Sequence, residues 1–380
     1  MFFTRIRNTE LMYANVNLIQ EEHKPQPRVK QFDQVLTEIG AGIWQFQLIS
    51  ILCVGSMADA MEITVLSFIT PCAAEEFDLQ SSETALITGA VFLGSIMGSF
   101  FFGYLADNYG RRLAYMVSLF LMLIFGVGTF FTTNYPMLVL CQGGVGFGIG
   151  GAVAPFDYLS ETVPPDARGL SCMMSLLCWG CGSMMTAAVA WIFLGQYGWR
   201  VLSLGCTVPV FLSFIAVFTI PESPRWLLSQ GRIKEAVQGL KLAAKRNKVD
   251  LGEFTFDTVP TEEEATKPEN PFTALFSKTL RRKTILLTLI WLSFGFAYYA
   301  VVLQISEIFI ASAKNCSFDY LNIFLSALSE PVFTLIALSY IEKSRRYTLG
   351  LSVLLAGAFV FFLGIKTNLY ISMVNESDMK

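Results

Sequence analysis

Charge is the first thing this sequence has little of: Asp, Glu, Lys and Arg together make up 15% of its 380 residues. Soluble domains carry about 25%. Hydrophobic residues account for 53%, and mean hydropathy is +0.52, so a water-soluble globule is excluded, since folded domains keep much of their surface wet. Histidine is nearly missing. The single one, His23, lies in a polar tail, which leaves no material for histidine-based catalysis or a His-rich metal site. Basic excess is missing too. A net charge of −3 argues against nucleic-acid binding, which needs a basic face. No nucleotide-binding Lys-Ser/Thr follows the glycines of 143–151, no nucleophile–base pair is visible, and Cys172, Cys178 and Cys181 lack metal-ligand spacing. An enzyme, a bound cofactor and a metal are therefore not expected.

What the chain has is long apolar runs. About 20 such residues cross the ~30 Å hydrocarbon layer as a helix. Nine runs qualify: 44–70, 84–105, 113–133, 136–158, 169–195, 199–220, 284–309, 318–341 and 348–366. The fold class expected is an all-α membrane protein. Its parts would be a polar amino-terminal tail (1–43), a six-helix bundle (44–220), a charged central loop (221–283), three further helices (284–366) and a polar tail (367–380). Within the loop, Arg232–Lys248 reads as an amphipathic helix and 261–270 as a flexible linker. The tail has no apolar core for a cleaved signal, so the first span serves as its own insertion signal.

Lys and Arg favour the cytoplasmic side. With the amino terminus inside, 23 of the 27 basic residues fall on that side and none falls inside a span. The two N-x-S/T sequons, at Asn315 and Asn375, then face outward as glycosylation candidates. Cys72 and Cys316 are the two cysteines on that outer face, and a bridge between them stays open.

Three motifs carry a resemblance. Gly103-Tyr-Leu-Ala-Asp107-Asn-Tyr-Gly110-Arg111-Arg112 matches the G-x-L-a-D-r-x-G-r-[RK] signature except at Asn108. It resembles the loop after the second span in the major facilitator superfamily. Pro221–Leu227 reads PESPRWL, and Glu161-Thr-Val-Pro-Pro-Asp-Ala-Arg168-Gly is similar to E-x-x-P-…-R-G; both occur in sugar porters and organic-ion transporters. Gly55–Glu62 and the amphipathic lead-in Phe32–Phe46 resemble the synaptic vesicle protein 2-related branch. The resemblance implies a two-bundle fold and a gate on the inner side. Carried over residue by residue, the gate is Gly103, Asp107, Gly110, Arg111, Arg112, Glu161, Arg168, Glu222 and Arg225, with Asp157 beside it.

This sequence also departs from that family. Gln142 stands where many relatives have an arginine associated with proton coupling. Glu342–Arg346 is a shortened echo of the Asp107 loop without its glycine. The family has twelve spans against nine here, so the chain reads as truncated after the ninth.

Intramembrane charge is costly and points to function. The acidic residues read as lying within spans are Asp59, Glu62, Asp157, Glu307 and Glu330. Asp59 and Glu62 share a helix face. Without basic partners, such groups bind a cation or retain a proton; alternatively they bond a nearby hydroxyl or sit wet in a cavity. Glu307, close to its helix end, reads as an interfacial carboxylate. Trp179 offers a ring face to a cation, packing being the plainer role. The glycines of 143–151 suit close helix approach.

The function expected is secondary transport of a small solute, a cation or zwitterion, by a gradient-driven transporter or symporter. Asp59, Glu62, Glu330 and Trp179 would contact the solute. The partners are that solute, membrane lipid and a coupling ion, in the plasma membrane or a vesicle membrane. Two alternatives stand beside it: a non-transporting scaffold or receptor, and a fragment of a twelve-span transporter.

Overall fold

The computed structural model describes residues 28–256, 275–312, 316–341, 347–359 and 361. A short helix α1 (Phe32–Ile39) buries Val35, Leu36 and Ile39 and leads into α2 (Ile43–Thr64) and α3 (Leu66–Glu76). These two form one 34-residue rod with a single turn at Val65. Then come α4 (Ser81–Tyr109), α5 (Arg111–Phe130), α6 (Tyr135–Ile149), α7 (Ala154–Thr162) and α8 (Arg168–Val217). Outside this bundle lie α9 (Pro224–Ser229) and α10 (Ile233–Arg246); α11 (Arg281–Ile308), α12 (Tyr320–Ile341) and α13 (Tyr347–Phe359) follow.

Among the described residues, seven helices are long and apolar enough to cross a membrane, against nine expected. The reason lies partly in α8, which holds both 169–195 and most of 199–220. Gly198 breaks it with φ +79°, a left-handed backbone that glycine tolerates. A straight helix would put Val189 and Gly205 about 24 Å apart. Instead, a Cβ on Gly205 would sit 3.2 Å from the Val189 side chain, so α8 is a hairpin of two antiparallel arms. Of the last expected run, 348–366, the described residues include α13, and most of the rest lies outside them.

Two small sheets depart from the all-helical expectation. β1 (Arg28–Val29) pairs in parallel with β2 (Phe254–Thr255), and β3 (Ile310–Ser312) pairs antiparallel with β4 (Ser317–Phe318). The first ties the chain ahead of α2 to the segment behind α10. Asn247, which ends α10, reinforces that tie. Its Oδ1 accepts from the Trp44 N–H at 3.0 Å, and its Nδ2 faces Gln45 Oε1 at 2.7 Å and the carbonyls of Ile39 and Gly40.

Lipid tails are as apolar as leucine, so helices here pack through small residues and backbone contacts. The glycines of 143–151 do this. The Gly146 carbonyl accepts from Ser95 on α4 at 3.0 Å, and the Gly148 carbonyl from Ser118 on α5 at 2.8 Å. A Cβ on Gly146 would strike the Val91 backbone. Outward-facing side chains such as Leu93 and Phe100 stay exposed, as a lipid-facing surface requires.

Candidate functional site

The rod α2–α3 carries the acidic pair through the middle of the bundle. Asp59 and Glu62 are 2% and 3% exposed, and Asp59 Oδ1 and Glu62 Oε1 have no hydrogen-bond partner among the described residues. Glu62 Oε1 sits 3.4 Å from where a Cβ on Gly126 would be, and Thr207 lies beside the same glycine. Tyr115 and Tyr299 are within Coulombic range of Asp59. The Tyr115 hydroxyl is occupied by Ser213 at 3.1 Å. No described Lys or Arg pairs with either carboxylate. A buried carboxylate without a partner is expensive.

Across α8 lies a second acidic position. Trp179 Nε1 donates to the Tyr298 hydroxyl at 2.8 Å, and Tyr298 donates to Glu330 Oε1 at 3.2 Å. Nearby, Thr64 donates to Ser183 at 3.4 Å. A polar chain therefore runs from Trp179 through Tyr298 to Glu330. Aromatic rings surround it: Tyr298 stacks on Phe294, meets Tyr299 edge-on, and Tyr299 meets Phe92 with centroids 5.0 Å apart. Trp179 and Glu330 were visible in the sequence, whereas Tyr298, Tyr299 and Ser183 were not. The adjacent tyrosines in an otherwise apolar run were the available signal. One turn past Glu62, Leu66 and Ser67 line a cavity of about 570 Å³ with Thr70, Thr84 and Thr88.

The motif residues gather at one end of the bundle. The expected loop 106–112 contracts to Gly110 alone, since α4 runs to Tyr109 and α5 starts at Arg111. Gly110 has φ +113°, and a Cβ there would collide with the Glu222 carboxylate. Arg111 bridges Asp107 (2.6 Å) and Glu161 (3.3 Å), and Glu161 accepts from the Ser223 hydroxyl. Glu222 Oε1 accepts from the Arg112 N–H at 3.0 Å, where a carboxylate suits the start of α5. Arg112 itself donates to the carbonyls of Val217 and Phe218, and Trp226 Nε1 to the Asp107 carbonyl at 2.8 Å.

Four motif residues take no part in these ion pairs and hydrogen bonds. Arg168 pairs with Asp33 at 2.6 Å rather than with its acids. Arg225 and Asp157 are exposed and make no ion pair among the described residues, and Gly103 faces open space.

At the opposite end, Cys72 and Cys316 form a disulfide with Cα atoms 5.3 Å apart, closing the question the sequence left open. Arg200 forks onto both oxygens of Glu76 (2.7 and 2.8 Å) and lies over the Trp199 ring. Asn315 and Asn375 lie outside the described residues, as does the Glu307 side chain. Among the described residues no three His, Cys, Asp or Glu side chains converge as a metal site.

A profile of the family described as "Sugar (and other) transporter" matches residues 24–377. The chain is 28% identical to organic cation/carnitine transporter 7 of Arabidopsis thaliana over 357 residues, 83% of this chain and 71% of that one. It is 30% identical to the synaptic vesicle 2-related protein of Rattus norvegicus over 342 residues, 84% of this chain and 61% of that one. The xylose transporter XylE from E. coli, partially occluded and inward-open, superposes with TM-score 0.61 at 19% identity, covering 79% of this chain and 74% of that one. The structural likeness shows the fold, and the 354 residues matched by the profile show the family. These proteins are transporters and not enzymes, and the chain belongs with them: it is a multi-pass membrane protein of the sugar (and other) transporter family, within the major facilitator superfamily.

Proposed function

We propose that the protein moves a small organic cation or zwitterion across the membrane by alternating access, driven by a gradient. One observation carries this reading: Asp59 and Glu62 are buried with carboxylate oxygens unpaired among the described residues. A positively charged solute supplies the missing partner, and an anion finds no counter-charge there. Trp179, Tyr298 and Glu330 add ring faces and a second carboxylate, which suits an ammonium group. The relative named for organic cations and carnitine supports the same class.

In this reading the Asp107 end faces the cytoplasm, with the amino terminus, and its ion pairs form the gate. Single exposed pairs contribute little, about 0–1 kcal/mol. A network that forms in one state and breaks in the other still biases a two-state equilibrium. Spans one to six (44–220) form one half, 284–366 belongs to the second, and 221–283 joins them.

The test is uptake of radiolabelled tetraethylammonium and carnitine into proteoliposomes holding the full chain. Asp59→Asn should abolish uptake at unchanged protein incorporation. Equal uptake by wild type and Asp59→Asn would refute the reading.

A further inference from the structure

The boundary where the first span begins holds a second feature, one that no transport step uses. A cavity of about 410 Å³ opens between the first turns of α2 and the chain leaving α8 at Thr219–Pro221. Its inner wall is Trp44 and Leu48, and Phe46 at its lip is 72% exposed. Arg246, in the last turn of α10, closes the other side. The slot is therefore apolar along its length and cationic at one rim. It lies where membrane-length apolar helix gives way to charged chain.

Arg246 is under-used. Its Nη1 donates to Gln47 Oε1 at 3.1 Å, and the guanidinium makes no ion pair among the described residues. Five N–H donors in a planar fork leave several for an incoming anion. The flanking cations Lys245 and Lys248 are exposed. Of the acids that follow Arg246 in sequence, Asp250 accepts from the Gly252 N–H at 3.0 Å and Glu253 is taken by Lys241 at 2.9 Å. Two residues lining the slot, Ser50 and Thr219, carry hydroxyls whose protons are already spent. Ser50 donates to the Phe46 carbonyl and Thr219 to the Ala216 carbonyl. They remain acceptors for a hydroxyl or ammonium on a ligand.

We propose that this slot is a specific site for an anionic glycerophospholipid. Its phosphodiester meets Arg246, its headgroup donors meet Ser50 and Thr219, and an acyl chain lies over Phe46 and Ile51. Charge complementarity selects the lipid. The guanidinium fork matches a phosphate geometrically, and basic groups at a membrane boundary attract anionic headgroups. A zwitterionic lipid carries its own ammonium and gains less. The occupant would bridge the start of α2 to the end of α8, beside the point where Asn247 holds α2. The inference rests on the chain spanning a membrane and is independent of what it transports.

The experiment compares the full chain in phosphatidylcholine nanodiscs with and without phosphatidylglycerol, reading retained lipid by native mass spectrometry and the thermal midpoint by intrinsic fluorescence. Wild type should retain phosphatidylglycerol over phosphatidylcholine and show a higher midpoint with it. Arg246→Gln should lower that retention about tenfold, the equivalent of about 1.4 kcal/mol. Arg232→Gln, which breaks an exposed pair with Glu235, should leave it unchanged. Ser50→Trp fills the slot with Arg246 in place, and it should lose retention too; this serves if Arg246→Gln fails to fold. Equal retention of phosphatidylglycerol by Arg246→Gln and wild type overturns the proposal. So does equal retention of phosphatidylcholine. A midpoint raised as far by inorganic phosphate alone marks a free-anion site and overturns it as well.

Discussion

Replacing Asn247 by alanine tests how the first span is held, and its cost follows from the hydrogen bonds. Asn247 supplies the acceptor for the Trp44 N–H at the start of α2, a service that helix caps normally take from the preceding residue. Here that residue is Gly42, which has no side chain to give. Losing a capping acceptor costs about 1 kcal/mol. The Asn247 amide carries two protons shared among Gln45 Oε1, the Ile39 carbonyl and the Gly40 carbonyl. Two such bonds contribute about 0.5–1.5 kcal/mol each. The loss should total about 2–4 kcal/mol, since the site is partly buried. In a chain of this size 1 kcal/mol moves the midpoint by about 1–2 °C, so Asn247→Ala should melt a few degrees lower. Asn247→Asp keeps the acceptor and loses the donors, so it should fall between. Thermal unfolding followed by tryptophan fluorescence reads both variants in one detergent. A midpoint for Asn247→Ala within 1 °C of wild type would refute the claim that this side chain anchors α2.

Two further outcomes follow from single positions. Gly110→Ala should destabilise by about 1–3 kcal/mol through its backbone alone, because φ +113° is a region nearly reserved for glycine. The double variant Gly110→Ala/Glu222→Ala should recover only the part due to collision with the carboxylate. Full recovery in a thermal melt would show that the backbone was never strained. Cys316→Ser opens a bridge between positions 244 residues apart, so it should cost about 2–5 kcal/mol. The same drop should appear in wild type after reduction and be absent from reduced Cys316→Ser; a drop in the latter would place the effect elsewhere.

Much of the architecture was legible in the sequence because membrane helices satisfy their own backbone hydrogen bonds. Length and hydropathy of a run are local properties, and they suffice to place a helix from Ser81 or Arg111 onward without knowing its neighbours. The glycines of 143–151 were readable for the same reason, since a surface of small side chains is written in consecutive letters. The Asp107 and Glu222 motifs were legible as motifs. Their contacts were not, and Arg168 illustrates why. It belongs to a familiar pattern, yet it pairs with Asp33, 135 residues away, because α1 folds back against the turn at 165–167 that leads into α8.

The span count shows the limit from the other direction. Hydropathy separated 169–195 from 199–220, and the structure joins them through Gly198, because one left-handed residue reverses a helix without needing a loop. The site went the same way. Asp59, Trp179 and Glu330 could be singled out one at a time as unusual residues in greasy runs. That Trp179 reaches Glu330 through Tyr298, and that Asp59 and Glu62 each keep an oxygen unpaired among the described residues, depends on side chains 32 to 119 residues apart in sequence. The amino-acid sequence by itself determined the membrane class, the helices and the family, since those follow from composition and short-range order. Only the tertiary structure decided which side chains meet and which carboxylates are satisfied, because a hydrogen bond is a matter of distances of about 3 Å that packing, and not spacing along the chain, sets.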